Sequence, residues 1–214
     1  MVIDLSFVVS DSRLSWTQDG RDGDLRVIGG KYRSRPLLAP AGMDTRPTAD
    51  RLRETLFNVL TQGVVNRVAG ARFLDLYAGS GAVGIEALSR GAVDVVFVEQ
   101  GAAALAVLGK NLGGLGIRAG VNVVKRGVAR YFRDVSGSAA GFGVVFLDPP
   151  YDAAQEYATT LGVLGEPGCG LLGSDGLVVA EHRRKQALEE RYGKLKRVRV
   201  IEQGDAALSF YARE

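Results

Sequence analysis

Arg72-Phe73-Leu74-Asp75-Leu76-Tyr77-Ala78-Gly79-Ser80-Gly81-Ala82-Val83-Gly84 decides how the rest of the chain is read. Its first six residues predict a central strand. A G-x-G-x-x-G arrangement (Gly79, Gly81, Gly84) follows, and a helix is predicted from Ile85 to Arg90, closed by Gly91. The glycine pattern alone is weak evidence, but a strand before it and a helix after it give it meaning. Glycines let backbone approach a ligand, and the helix N-terminus favours a negative group. The next strand, Val93 to Val98, ends at Glu99. A carboxylate about two dozen residues beyond Asp75 is placed to accept ribose hydroxyls. To this point the pattern fits a dinucleotide and S-adenosylmethionine equally.

Two features separate them. Asp75 lies inside the first strand, where a carboxylate would repel a pyrophosphate but could hold the ammonium of a methionine moiety, and Ser80 sits near the helix start. The second feature is Asp148-Pro149-Pro150-Tyr151, which ends the apolar run Val144 to Leu147. Two prolines remove two backbone donors, so the strand stops there. The residue before a proline is held extended. The result is a rigid loop with a carboxylate, free carbonyls and an aromatic face at the carboxyl end of a strand, where open α/β sheets bind ligands. Acceptors beside a stacking ring suit a planar base with an exocyclic amine. Together the two features favour S-adenosylmethionine. The cofactor contacts expected are Asp75, Tyr77, Ala78, Gly79, Ser80, Gly81, Gly84, Glu99, Gln100, Gly127 and Val128, and the catalytic loop is Asp148, Pro149, Pro150 and Tyr151.

Further elements alternate. Helices are expected over 102–112, 153–164 and 183–192, and strands over 121–124 and 177–181. A final antiparallel pair over 197–201 and 207–211 turns at Gln203-Gly204-Asp205. That is an α/β chain with a seven-stranded, mostly parallel, doubly wound sheet. Its 214 residues suffice for one domain with a full core.

Upstream, three segments are expected: a poorly ordered extension over 1–24, a basic hairpin region over 25–47, and the main domain over 48–214. Thr48 is read as the cap of a helix carrying Leu52, Leu56, Val59 and Leu60. Between Arg26 and Arg53 there are seven basic residues against two acidic ones, whereas the whole chain has a net charge of only +3. The basic patch is therefore local. With Tyr32 among its cations it has the footprint expected for phosphate-backbone contact. The candidates are Arg26, Lys31, Arg33, Arg35, Arg46, Thr48 and Arg51.

A single cysteine, Cys169, rules out an intramolecular disulfide, and one histidine, His182, leaves no set of residues for a zinc site. Cys169 reads as a small loop residue and His182 as a satisfied or exposed strand end. No apolar run approaches the roughly 20 residues needed to span a bilayer. The start lacks a basic n-region, so no signal peptide is expected, and the cytoplasm is the expected location.

Several motifs taken together resemble the RsmD-type family, bacterial methyltransferases of small-subunit ribosomal RNA that modify guanine N2. They are Arg26-Val27-Ile28-Gly29-Gly30-Lys31-Tyr32-Arg33, the segment from Arg46 to Asn58, Asp75 to Gly81, Glu86 to Ala92, and Asp148 to Tyr151. The resemblance implies a class I S-adenosylmethionine-dependent methyltransferase fold with a small N-terminal hairpin extension. It also implies 16S rRNA within the assembled small subunit as partner; no membrane partner and a monomer are expected besides. One departure is Gly127, where such enzymes usually carry Asp or Asn toward the adenine amine; backbone groups around Val128 would then take that role. A DNA amino-methyltransferase shares the Asp-Pro-Pro-Tyr chemistry, but the chain has no sizeable target-recognition insertion. A non-catalytic RNA-binding module would have no use for both Asp75 and Asp148.

Overall fold

Leu74, Leu76, Val145, Leu147, Val178 and Ala180 face one apolar cluster, while Phe73, Val144, Phe146, Leu177 and Val179 face another. This is the period-two alternation of strands buried on both sides. The computed structural model describes residues 25–39, 47–135, 137, 141–150 and 153–214, without the side chains of 47–49.

The strands are β1 (Arg72–Leu76), β2 (Asp94–Glu99), β3 (Val121–Lys125), β4 (Phe142–Leu147), β5 (Leu172–Arg183), β6 (Arg191–Tyr192), β7 (Leu195–Gln203) and β8 (Ala206–Arg213). They form one sheet in the order β3-β2-β1-β4-β5-β8-β7-β6. The β1–β2, β1–β4, β2–β3 and β4–β5 pairs are parallel, and the β5–β8, β7–β8 and β6–β7 pairs are antiparallel. Strand order reverses between β1 and β4, and that switch point is where doubly wound sheets open a ligand crevice.

Helices α1 (Pro47–Thr61), α2 (Ala82–Ser89) and α3 (Ala102–Gly114) supply the cluster on one face. Helices α4 (Val128–Asp134) and α5 (Ala154–Gly165) supply the other. No helix among the described residues is long and apolar enough to cross a membrane.

The structure corrects several expectations. The sheet has eight strands rather than seven, the extra one being the two-residue β6. The charged stretch expected as a helix over 183–192 is a turn-rich connection. Leu188 alone among its described apolar residues is buried, so it has no stripe to bury. Its start is pulled back onto the sheet edge, where Arg184 N donates to Asp205 O at 2.8 Å. Helix α4 is an addition to the expected elements; Val128, Tyr131 and Phe132 are its buried i, i+3, i+4 face.

The hairpin near the start is a single antiparallel bridge, Arg26 to Pro36, around a 3-10 turn at Gly30–Tyr32. Helix α1 begins at Pro47, so Thr48 lies within its first turn rather than before it. Pro at the first helical position forfeits a donor that would have been orphaned anyway. Residues 1–24 and Arg46 lie outside the described residues.

Candidate active site

At the carboxyl end of β1 the chain makes a tight turn held from three sides. Tyr77 takes φ +62, an uncommon conformation for a non-glycine residue. Its hydroxyl donates to Glu156 Oε2 at 2.7 Å and lies 2.9 Å from Thr160 Oγ1, tying the loop to α5. Burial comes first among the causes that push the Tyr77 phenol well above its ordinary range. Ala78 N donates to Val98 O at 3.0 Å. Glu99 at the end of β2 holds the same loop: Oε2 accepts from Gly79 N at 2.8 Å, and Oε1 accepts from Gln100 N and Gly101 N at 2.8 and 2.6 Å.

The glycines divide the work. A Cβ at Gly79 would meet nothing nearer than Tyr77 O at 4.0 Å, so this turn stays open to a ligand. A Cβ at Gly84 would sit 2.3 Å from the Phe97 ring, so Gly84 serves the close approach of α2 to β2. Asp75 is 1% exposed, and its Oδ2 accepts from Gly84 N at 2.9 Å. Burial drives its carboxyl well above the usual range; the Gly84 bond opposes this, and the charges of Asp148 and Glu99 add to it.

Asp148 follows β4, half-buried, with no hydrogen-bond donor to its carboxylate among the described residues. Burial pushes its carboxyl up to about 7. Pro149 is buried and Pro150 exposed, and Pro150 O accepts from Ala153 N at 2.8 Å. Tyr151 lies outside the described residues.

Gln100 and Gly127 explain each other. A Cβ at 127 would fall 2.7 Å from Gln100 Oε1, so the glycine makes room for that carboxamide. Val128 is buried at the start of α4.

The basic segment is bolted to this site through α2 and α3. Ile28 N and Gly29 N donate to the two oxygens of Glu86 at 2.7 and 2.8 Å. Arg90 pairs with the same carboxylate at 2.6 Å. Ser89 Oγ accepts from Tyr32 N at 2.9 Å and donates to Gly29 O. Asn111 on α3 accepts from Leu38 N at 2.7 Å and donates to Leu38 O and to Ser80 O, at 3.0 and 2.9 Å. Glu86, Ser89 and Asn111 are all buried. Sequence reasoning assigns them no role; a buried polar triplet at the ends of α2 and α3 becomes visible only once the segment lies on them.

Held this way, the segment exposes Arg26, Lys31, Arg33 and Arg35, and Arg51 is exposed on α1. Lys31 Nζ lies 5.2 Å from the centre of the Tyr32 ring, and Arg35 donates to Gly114 O at 3.2 Å. Arg53, one of the seven basic residues of this stretch, is instead 6% exposed, donating to Arg26 O at 2.6 Å and pairing with Asp50 at 3.0 Å. His182 is satisfied, between Ser209 Oγ and Arg183 O, each at 2.9 Å.

This geometry has known counterparts. A family model described as "Conserved hypothetical protein 95" matches residues 25–212. The "Putative rRNA methyltransferase YlbH" of Bacillus subtilis is 36% identical over 189 residues, 88% of this chain and 99% of that protein. The "Ribosomal RNA small subunit methyltransferase D" of Escherichia coli is 43% identical over 129 residues, 60% of this chain and 61% of that one. Among solved structures, "Putative methyltransferase yhhF from Escherichia coli" is 31% identical, covers 90% of this chain and 99% of that chain, and has a TM-score of 0.74. The fold alone extends to a structure described as "a putative methyltransferase complexed with SAH", 14% identical with a TM-score of 0.60 over 80% of this chain and 51% of that one.

Proposed function

Because the chain belongs to the RsmD family of class I methyltransferases, we propose that it methylates the exocyclic N2 amine of a guanine in 16S rRNA, within the assembled small subunit and as a monomer in the cytoplasm. The observation that carries this reading is the Asp148 carboxylate. It stands at the switch point beside the glycine loop, followed by two prolines and without a donor of its own among the described residues.

S-adenosylmethionine supplies the methyl group as an electrophilic sulfonium. The residues present fit that donor. Gly79 leaves an open turn, and the Glu99 carboxylate beside it has acceptor capacity left for ribose hydroxyls. Gln100, resting on Gly127, offers its carboxamide oxygen to the adenine amine in place of the missing acid.

The acceptor base leaves its stack at a cost of about a few kcal/mol. Tyr151 stacks on it, worth roughly 1–3 kcal/mol. Asp148 and Pro149 O accept hydrogen bonds from the N2 amine, which aims the nitrogen lone pair at the methyl. The N–C bond forms as the S–C bond breaks. The proton that N2 then sheds passes to the Asp148 carboxylate, whose raised pKa suits it to receive one. Holding the two reactants in line supplies most of the acceleration.

The test offers methyl-labelled S-adenosylmethionine with small subunits lacking this modification, naked rRNA, and duplex DNA. Label mapped to guanine N2 of the subunit is the expected result. Label on DNA alone, or on another atom, overturns the reading.

A further inference from the structure

One carboxylate next to an exocyclic amine does not select a base, because adenine, cytosine and guanine all carry such an amine. Two carboxylates side by side do. Guanine presents a ring N1–H beside its N2 amine, whereas adenine and cytosine present a ring-nitrogen lone pair beside theirs, which a second carboxylate repels.

The structure has that second carboxylate. In the β4–β5 register Leu147 pairs with Ala180, so Asp148 and Glu181 are the next residues at the carboxyl ends of adjacent parallel strands. Leu147 and Ala180 face the α4–α5 cluster, so by alternation Asp148 and Glu181 face the α1–α3 side, as Asp75 does. The cofactor groups Asp75 and Glu99 lie on β1 and β2, to one side of Asp148; Glu181 lies on the other, away from the glycine loop. Tyr157 donates to Glu181 O at 2.9 Å, which fixes the backbone, and Leu208 of β8 is its register partner.

No hydrogen bond or ion pair is formed by the Glu181 carboxylate among the described residues. Burial pushes its carboxyl well up, the charge of Asp148 pushes the same way and that of Arg53 opposes, so a hydrogen-bond donor such as a ring N–H is what favours the ionised, accepting form. Arg53 of α1 is the cation acting on this carboxylate. It is 6% exposed, and its Nε is the one buried side-chain nitrogen or oxygen without a hydrogen-bond partner among the described residues. Asp148 and Glu181 thus present two acceptors side by side, with the charge of Arg53 acting on the second. The Watson–Crick edge of guanine runs N2–H, N1–H, O6.

We propose that Glu181 is the base-selecting residue of this enzyme: its carboxylate takes the guanine N1–H while Asp148 takes the N2 amine. This rests on the guanine-N2 reading above and names the group that enforces it.

The test compares wild-type protein with Glu181→Gln on small subunits reconstituted from rRNA ligated to carry guanine or 2-aminopurine at the mapped position. 2-Aminopurine keeps the amine, replaces N1–H by a lone pair and lacks O6; the O6 loss is common to wild type and variant, so the change in preference between them reads N1. A glutamine amide can donate to that lone pair. Wild type is expected to favour guanine in kcat/KM, and Glu181→Gln to compress the preference by about 10- to 100-fold. Its cofactor Kd, measured without RNA, stays within about threefold.

An unchanged preference, or a loss that appears in cofactor Kd, overturns the proposal while leaving guanine-N2 methylation standing. Wild type that labels no guanine N2 removes both. If Glu181→Gln does not fold, Glu181→Asp decides: a larger loss on guanine than on 2-aminopurine supports the assignment, and equal losses overturn it.

Discussion

Asp148 combines the position proposed for catalysis with an energetic liability. Its carboxyl is held up to about 7 by burial, with Glu181 on β5 and Asp75 on β1 as its acidic neighbours, Glu99 on β2 acting on Asp75 and Arg53 on α1 acting on Glu181. The ionised form is the one that accepts from an amine and then takes up its proton. Methyl transfer at saturating substrates is therefore expected to fall as pH drops through about 7, well above the range of an ordinary aspartate; a profile flat down to pH 5 would count against the assignment. Asp148→Ala is expected to lower kcat by at least about 100-fold while cofactor Kd moves only a few fold, since the glycine loop and Glu99 are untouched. Stability should respond in the opposite sense. A folded-state pKa raised above the unfolded one means the native protein holds its proton more tightly. The stability this group contributes is then full below the unfolded pKa and is lost as pH rises through the folded value. Asp148→Asn removes the penalty, so its Tm should exceed wild type at pH 8, with the gap closing toward pH 4. That melting comparison also separates a site residue from a structural one, whose loss would lower Tm at both pH values.

At the scale of elements, α2 carries two jobs at its two ends. Its first turn is tied to β1 by Asp75 and packed on β2 through Gly84. Its last turn holds the basic segment through Glu86, Ser89 and Arg90. Removing the Glu86 carboxylate leaves Arg90 and two backbone N–H groups without their partner, which costs about 3–5 kcal/mol when a buried pair is broken. Glu86→Ala should therefore lower Tm and, if the segment meets RNA as proposed, weaken RNA binding with it, although every exposed cation of the segment is kept. Normal RNA affinity in that variant would show that the segment is held by other means. Local signals reveal only part of such an element. The glycine loop and Asp148-Pro149-Pro150 are legible because their meaning is carried by neighbours in sequence. Glu181 is not, because its importance comes from the pairing of β4 with β5. Arg53 counts among the surface cations in sequence because charge says nothing of burial, and 183–192 reads as a helix although charged residues alone define no face.

At the scale of the molecule, acids gather at the carboxyl ends of β1, β2, β4 and β5, and a group of exposed cations lies on the segment pinned to α2. Reversing Lys31 and Arg33 to glutamate should weaken rRNA binding and flatten its salt dependence by roughly one unit of log–log slope for each phosphate no longer neutralised, with the affinity for free cofactor unchanged. An unaltered slope would mean that these cations face away from the RNA. The sheet has the doubly wound order that the sequence implies, because strand–helix alternation leaves few topologies. The packing of residues 25–39 against α2 and α3 is not foreseeable in the same way, because nothing in a run of basic residues identifies the buried acid beneath it.

Asn111 has one more consequence. A single carboxamide touches both chain groups of Leu38, in the basic segment, and the carbonyl of Ser80, in the glycine loop. The segment proposed to meet rRNA and the loop proposed to hold the methyl donor therefore share one side chain, and Asn111→Ala is expected to loosen both. Thermodynamic reciprocity then applies: whatever factor bound rRNA imposes on affinity for the methyl donor, bound donor imposes on affinity for rRNA.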